Sequence, residues 1–526
     1  MNPLVVPLVV TALTLSAPLA MAVETPPDEI DRLRGAALTA IAGARAAADK
    51  SGSDVLREVT LPSIERLVED ADLRRASMTA TGRDEAFVRA SLKTARAYAD
   101  RVTAGEDPYR AATGVIVKAY HAEWDDTLQP YALYVPRNYD PAKPWPLIVA
   151  LHGAFSNPLH NLRRVFGRDN RPGETDDEAA RNPLPLPDVP ALVVSPSGRG
   201  GLMGYDGLGE ADVMRVIADV RRAYNIDPQR VTLTGLSMGG AGTWSIGLRH
   251  PEMFAALAPV CGVSDFVPMI PRSELPFYDV ARLQALSPPA IAENAAHMQV
   301  MMFHGADDPT VPVENSRKMA ARYRALGWLG KNVSYTEYPG VKHEAWIPAY
   351  RDATLLRKLA AIRRDPAAPN GPLSPPPPGQ AVPGLFGKSV PRQHPHLYVY
   401  GTHGAPGAVV MARALAQALA DWGPMVAARF PVKADREVTA ADRARFDLVL
   451  VGAAPFNALA PPVSAAPSPL GDRAFRALVA DPGAPHKFAL VFGAATAPGF
   501  ARLRRFAAPN RDHFAPESNR DFVEVP

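Results

Sequence analysis

The feature that most constrains the fold is a short turn of glycine and serine between a strand pattern and a helix pattern. The turn reads Gly235-x-Ser237-x-Gly239. Residues 230–234 before it are β-branched and apolar, and residues 241–248 after it can form a helix. Glycine two places on either side of the serine indicates a turn so tight that side chains there would collide. The pattern predicts a strand, a strained turn that presents Ser237, and a helix.

Two later segments supply the partners that a reactive serine needs. An apolar strand pattern at 300–303 runs into a turn with Asp307 and Asp308, and a second strand pattern at 333–338 precedes a loop with His343. A serine hydroxyl is activated when a histidine takes its proton and a carboxylate orients that histidine. The order serine, acid, histidine fits this chemistry, while spacing alone leaves the two aspartates undecided.

An apolar segment upstream indicates the oxyanion side of the same site. Residues 145–151 form a continuous apolar run, as expected of a strand buried on both faces. The run ends in a His-Gly pair followed by Ala154. A loop of this kind can offer one backbone N–H to a developing oxyanion, and the residue after the serine offers another. We therefore predict Ala154 and Met238 as the two donors.

Six motifs in order resemble one branch of a known family. From about residue 131 to 350 the chain resembles the secreted esterase and predicted-peptidase branch of the α/β-hydrolases, which is related to polyhydroxybutyrate depolymerases and feruloyl esterases and is often labelled prolyl-oligopeptidase-like. The motifs are Tyr131 to Pro136, Leu151-His152-Gly153, Thr234 to Gly240, Ala258 to Gly262, His304-Gly305-x-x-Asp308-x-x-Val311-Pro312 and Tyr338-Pro339-Gly340-x-x-His343-x-x-Trp346. The fifth motif selects Asp308 over Asp307.

The resemblance implies a triad of Ser237, Asp308 and His343 in a serine hydrolase that cleaves carboxylic esters through an acyl-enzyme. The substrate would be a small-molecule or polymer-linked ester. A prolyl oligopeptidase-like peptidase is the alternative, and a binding protein with an inactive site is a third hypothesis. One fold hosts many acyl-transfer chemistries, so the motifs do not choose among substrates.

Composition argues against several other functions. The net charge is +3 with 21% charged residues, so we predict no nucleic-acid partner. The single cysteine, Cys261, excludes an internal disulfide and a cysteine-based zinc site, and it follows an apolar strand pattern that favours a buried, inert thiol. Residues 401–404 lack a complete phosphate-binding pattern. We predict no cofactor and no metal.

The expected fold class is α/β: a doubly wound α/β-hydrolase sheet with an N-terminal helical segment and a small C-terminal α/β module. An apolar leader with an A-x-A-like end predicts export to the periplasm or outside the cell, and its prolines disfavour a stable membrane span. The predicted parts are a signal peptide at 1–22, helices at 23–110, the hydrolase domain at 111–364, a proline-rich linker at 365–395 and the C-terminal module at 396–526.

Two further expectations concern mobility and contacts. The glycine-rich segment 197–205 is expected to be a mobile loop at the rim of the site. The proline-rich linker indicates that few contacts cross between the hydrolase domain and the C-terminal module. A chain shortened at about residue 370 should then keep its activity. The sequence leaves the oligomeric state open.

Overall fold

The computed structural model describes most of the chain outside its first 27 residues. The predicted signal peptide and most of the predicted linker lie outside the described residues. The described residues are 28–76, 83–171, 173–175, 179, 185–201, 204–265, 267–269, 284–285, 287–369, 371–373, 395–423, 427–481, 483–484, 487–507 and 522–525.

The helices are α1 Glu29–Ser51, α2 Leu61–Ala76, α3 Arg83–Thr103, α4 Pro158–Val165, α5 Leu208–Ala223, α6 Met238–Arg249, α7 Glu314–Ala325, α8 Trp346–Ala349, α9 Thr354–Ala361, α10 Pro406–Ala420, α11 Ala440–Arg445 and α12 Ala497–Leu503. Short helical segments are the π-helix Val55–Thr60 and the 3₁₀ helices Val267–Met269, Pro288–Ala295, Arg351–Ala353, Asp435–Glu437 and Arg504–Ala507.

The strands are β1 Gly114–His121, β2 Leu128–Val135, β3 Trp145–Leu151, β4 Leu192–Pro196, β5 Ile226–Leu236, β6 Ala256–Val260, β7 Gln299–Gly305, β8 Val333–Tyr338, β9 His396–Tyr400, β10 Val432–Ala434, β11 Asp447–Val451, β12 Ala474–Ala480, β13 Phe488–Gly493 and β14 Phe522–Val525. Strands β1 and β2 follow each other directly and pair antiparallel, so they form a hairpin.

The larger sheet has eight strands in the order β1-β2-β4-β3-β5-β6-β7-β8. Strand β2 runs antiparallel to β1 and β4, and the neighbouring pairs from β4 to β8 are parallel. Parallel neighbours need crossover connections, here made largely by helices, which cover the sheet. This is an α/β-hydrolase fold, as the sequence predicted.

Strand β3 shows why the central sheet is apolar throughout. Leu147, Val149 and Leu151 belong to the apolar cluster on one face, whereas Ile148 and Ala150 belong to the cluster on the other face. Successive side chains of a strand point to opposite faces, so both faces of β3 are covered. The unbroken apolar run of the sequence has this physical cause.

The N-terminal helices pack on one face of this sheet. Helix α1 begins after Asp28, whose side chain accepts a hydrogen bond from Asp31 N, and ends at Gly52 with a left-handed φ of 67°. Buried residues of α1, α2 and α3 join the same apolar cluster as β3. The Ser63 hydroxyl of α2 accepts a hydrogen bond from Ala119 N of β1 at 3.1 Å. These helices therefore extend the hydrolase core.

A buried lysine lies where these helices meet the sheet. Lys118 of β1 is 1% exposed, and within the described residues its Nζ has no hydrogen-bond partner. Its ammonium lies 4.7 Å from the centroid of the Tyr109 ring, which offsets part of the cost of burial. Burial lowers the pKa of Lys118 to about 8, while the nearby carboxylates of Asp107 and Asp219 oppose that shift.

We predict that Lys118→Met stabilises the protein at pH 7 by on the order of 1–3 kcal/mol, because it removes a buried charge. An unfolded lysine has a pKa of about 10.4, so the unfolded chain binds more protons between pH 8 and that value. Wild-type stability therefore rises with pH in this window, and the advantage of the variant should shrink there. Urea unfolding of both proteins at pH 7 and pH 10 measures it. A variant that is less stable than the wild type at pH 7 would show that the buried charge of Lys118 does not destabilise the fold.

The C-terminal part of the chain forms a second sheet, in the order β10-β9-β11-β13-β12-β14. In this order the first four strands, β10, β9, β11 and β13, are parallel to one another. Strand β12 runs antiparallel to both β13 and β14. Strands β9, β11 and β13 have apolar sequence patterns that predict strands, whereas β10, β12 and β14 do not. In the described part of the chain no helix is long and apolar enough to cross a membrane.

Candidate active site

The predicted turn between β5 and α6 has the expected strain. Ser237 has φ 54° and ψ −116°, a conformation that costs energy for a residue with a side chain. A Cβ at Gly235 would lie 2.4 Å from the carbonyl oxygen of Gly239, and a Cβ at Gly239 would lie 2.2 Å from the carbonyl oxygen of Leu151. Both distances are too short for real atoms, so only glycine fits at these two places.

Three side chains from three loops meet at this turn. The Ser237 Oγ lies 2.9 Å from His343 Nε2, and His343 Nδ1 lies 2.8 Å from Asp308 Oδ2. The side chain of Asp308 is 0% exposed and that of His343 is 16% exposed. Strands β5, β7 and β8 end at the same edge of the sheet, which explains why residues distant in sequence come together here.

The loop after β7 distinguishes the two adjacent aspartates. Asp308 Oδ1 accepts hydrogen bonds from the backbone N–H groups of Thr310 at 2.8 Å and Val311 at 2.9 Å, which leaves Oδ2 for His343. Asp307 is exposed, and its backbone N–H donates to the Val341 carbonyl. The geometry places Asp308 and not Asp307 against the histidine.

His304 supports this acid loop from the inside. Its Nδ1 lies 2.7 Å from Ser316 Oγ, and its Nε2 lies 2.9 Å from the Val311 carbonyl oxygen. Burial lowers the pKa of His304, so the neutral ring is favoured. Its contacts connect α7 to the loop that carries Asp308, which is a structural role.

The two predicted oxyanion donors flank the serine. Met238 is the first residue of α6, and the first N–H groups of a helix have no partner within the helix. A Cβ at Gly153 would lie 3.5 Å from the Cβ of Ser237, so the loop that carries Ala154 passes directly beside the serine. Among the described residues, no acceptor binds the N–H of Met238 or Ala154.

The glycine-rich loop was expected to be mobile, but its described residues are fixed by hydrogen bonds. The Ser197 carbonyl lies 2.8 Å from Nε2 of the buried His152, and the Gly201 carbonyl accepts a hydrogen bond from Phe155 N at 2.8 Å. Burial lowers the pKa of His152. The described part of this loop therefore packs against the loop that carries Ala154 and is joined to it by these two hydrogen bonds.

Cys261 is a neighbour of the site that sequence reasoning missed. It is fully buried, as predicted, but its Sγ lies within 4.8 Å of the nearest ligand atoms of Asp308 and His343. Burial raises the pKa of the thiol, which keeps it protonated and unreactive. The position of Cys261 directly after β6 was the signal that the sequence offered for its place beside the site. Its φ of 41° is a second signal, which only the structure gives.

Comparison with known proteins finds similarity over part of the hydrolase domain. Residues 209–361 match the sequence profile of the prolyl oligopeptidase family. The chain is 30% identical over 153 residues to a bifunctional acetylxylan esterase/xylanase of Neocallimastix patriciarum, which covers 28% of this chain and 20% of that protein. It is 27% identical over 130 residues to poly(3-hydroxyalkanoate) depolymerase C of Paucimonas lemoignei, which covers 22% of this chain and 30% of that protein.

Among solved structures, a thermostable esterase matches with 28% identity and a TM-score of 0.34, covering 48% of this chain and 63% of that one. The chain thus spans less than a third of the length of either curated relative named above. The strand order, the strained turn at Ser237 and the match to the sequence profile all indicate the same fold. Residues 209–361 are similar to the prolyl oligopeptidase family, and they lie within a domain that has the α/β-hydrolase fold.

Proposed function

We propose that the protein is a serine hydrolase that cleaves carboxylic esters through an acyl-enzyme on Ser237. The observation that carries this proposal is the chain of two hydrogen bonds from Ser237 Oγ through His343 to Asp308. Each side chain in it has the partner that its role requires. The names of the relatives, an acetylxylan esterase and a polyester depolymerase, agree with ester substrates.

The proposed reaction has two halves. His343 Nε2 takes the proton of Ser237 as its Oγ attacks the ester carbonyl, and Asp308 stabilises the imidazolium that forms. The backbone N–H groups of Met238 and Ala154 bind the oxyanion, each contributing about 3 kcal/mol in comparable sites. His343 returns the proton to the leaving alcohol. Water then attacks the acyl-enzyme by the same steps and releases the acid.

Exposed apolar side chains beside the site favour an apolar substrate group. Phe155 is 72% exposed and follows Ala154 directly, and Ile347 is 47% exposed and lies in α8, just beyond His343. Trp346 packs edge-on against His343, with ring centroids 5.4 Å apart. Large exposed apolar side chains that adjoin Ala154 and His343 in the chain are suited to contact an acyl or aryl group.

The match to the prolyl oligopeptidase family favours a second candidate, a serine peptidase. A peptide bond needs its amine protonated as it leaves, and the peptide must be held in register over several residues. No group among the described residues is identified as gripping a peptide terminus. Ester cleavage is therefore the primary proposal. The proposed substrate is a small-molecule or polymer-linked ester. The segment at 1–22 is proposed to direct export of the protein.

We predict that kcat/KM for short-chain p-nitrophenyl esters exceeds kcat/KM for Xaa-Pro amides by at least about 100-fold, a gap of roughly 2.7 kcal/mol in transition-state stabilisation. The reason is the better leaving group of the ester, which needs little beyond the triad and the oxyanion donors. A panel of p-nitrophenyl esters, feruloyl esters and Xaa-Pro amides measures the ratio. Comparable values for esters and amides would establish the peptidase instead.

A further inference from the structure

A fully buried ion pair joins the β1–β2 turn to the glycine-rich loop. Arg199 Nη2 lies 2.5 Å from Asp125 Oδ2, and both side chains are 0% exposed. Arg199 also has a left-handed φ of 63°, which is strained for a residue with a side chain. Burying both charges is costly unless the geometry is well supported, so neighbouring groups must hold this arrangement.

Arg199 lies in the middle of the segment that backs the oxyanion loop. On one side of it, the Ser197 carbonyl contacts His152 Nε2 at 2.8 Å. On the other side, the Gly201 carbonyl accepts from Phe155 N at 2.8 Å. These two contacts bracket Ala154. A shift of the glycine-rich loop would therefore move the backbone N–H that is proposed to bind the oxyanion.

The other half of the ion pair is held by the C-terminal sheet unit, residues 395–525 as described. Asp125 Oδ2 also accepts a hydrogen bond from Arg429 N at 2.9 Å. Four residues along the chain, the buried Gln129 donates from Nε2 to the Ala427 carbonyl at 2.9 Å. Both bonds connect the hydrolase hairpin to one short segment of the C-terminal unit.

Apolar side chains beside Arg199 and just after the glycine-rich loop also contact the C-terminal sheet unit. Trp124, over whose ring Arg199 lies at 5.8 Å, packs against the apolar clusters on both faces of the C-terminal sheet. Leu208, the first residue of α5, is 1% exposed and belongs to one of those clusters. Few contacts were expected across this boundary, and the structure instead has polar and apolar contacts there.

We infer that the C-terminal sheet unit positions the oxyanion loop, with Asp125 and Arg199 as the positioning residues. The unit fixes the hairpin at Asp125, the ion pair fixes the loop at Arg199, and that loop fixes the backbone around Ala154. This inference rests on the proposed function and gives the C-terminal unit a role in it. The oxyanion forms only in the transition state, so a displaced donor lowers kcat more than it changes KM.

The test replaces both charges at once, by Asp125→Asn with Arg199→Met. Neutralising both partners avoids an unpaired buried charge, so the fold should persist. We expect kcat for p-nitrophenyl acetate to fall about 100-fold per active site, with KM changed less than about threefold. Active sites are counted by titration with a fluorophosphonate. Affinity for a trifluoromethyl ketone, which forms an oxyanion adduct on serine, should fall in parallel.

A matched control removes a pair inside the C-terminal unit. Arg443 and Asp481 lie 2.5 Å apart, and the Asp481 side chain is 3% exposed. Asp481→Asn with Arg443→Met should leave kcat per titrated site unchanged. Gln129→Leu removes the bonds from Nε2 to Ala427 and to Thr127, and it leaves the Asp125–Arg199 pair in place. It should lower kcat about tenfold, in the same direction as the double variant.

Each outcome has one meaning. An unchanged kcat per site in the first double variant overturns the inference, and an equal loss in the Arg443–Asp481 control does so as well. An unaffected Gln129→Leu variant would overturn the part assigned to the C-terminal unit. If the first double variant does not fold, Arg199→Lys takes its place. It keeps the charge but loses the second arm of the guanidinium, whose Nη1 donates to Thr127 Oγ1 at 3.4 Å, and its kcat per titrated site is measured in the same way. A wild type that neither hydrolyses the ester nor reacts with the fluorophosphonate overturns the proposed function itself.

Discussion

Ser237→Ala is expected to lower kcat for p-nitrophenyl esters by about a millionfold, with a small residual rate from the oxyanion donors and substrate binding. The hydroxyl is the only atom lost, and it contacts His343 Nε2 at 2.9 Å. Alanine keeps the Cβ, so the strain at φ 54° is not relieved and the fold should remain. Hydrolysis rate and circular dichroism, measured on the same preparation, separate loss of chemistry from loss of structure.

A fluorophosphonate probe gives an independent readout for this variant. It should label the wild-type protein on Ser237 and leave the alanine variant unlabelled, because the probe reacts with an activated serine. Thr310→Ala serves as a control for substitution near the site, since only its backbone N–H is used by Asp308. Labelling that persists in Ser237→Ala would mean that another residue is the nucleophile.

Asp308→Asn is expected to lower kcat about ten-thousandfold. The amide can still occupy the space, but its NH₂ group favours the wrong tautomer of His343, whose Nδ1 now lies 2.8 Å from Oδ2. The two backbone N–H groups that bind Oδ1 should keep the loop in place. Steady-state kinetics with p-nitrophenyl acetate measures the loss.

Asp307→Asn is the matched control for that variant. Asp307 is the preceding residue on the same loop, is exposed, and contributes its backbone rather than its carboxylate to the hydrogen bonds of the loop. Its substitution should change kcat less than about tenfold. A larger loss from Asp307→Asn than from Asp308→Asn would show that Asp307 is the acid of the triad.

Local patterns predicted the parts of this site that depend on backbone sterics. Gly235 is required by a contact across the turn, since its Cβ would lie 2.4 Å from the Gly239 carbonyl oxygen, whereas Gly239 is required by the neighbouring strand β3 at Leu151. The spacing of the two glycines around the serine is nevertheless visible in the sequence. Likewise, the apolar run of β3 follows from burial on both faces, and the strand boundaries at 145–151 and 333–338 agree with the sequence patterns. The choice of Asp308 came from a family motif, because spacing alone could not separate adjacent aspartates.

Strands with weak or interrupted patterns were not predicted. Strand β10 has three residues and β14 has four, too few for an alternating pattern to be recognised. Strand β12 carries the buried Arg476, which breaks its apolar run. Such strands are stabilised by pairing with β9, β13 or β12, and that pairing is a property of the assembled sheet.

Tertiary structure alone decided which distant residues touch. A glycine-rich composition suggested mobility at 197–205, yet the burial of Arg199 against Asp125 is set by a hairpin more than seventy residues away in sequence. In the same way, nothing in the local sequence places Cys261 against His343, or Arg429 N against Asp125. The sequence by itself therefore determined the strained turn at Ser237, because its strand, glycines and helix are contiguous, and the order in which the serine, the acid and the histidine follow one another. The support of the oxyanion loop depends on long-range packing, which only the folded chain determines.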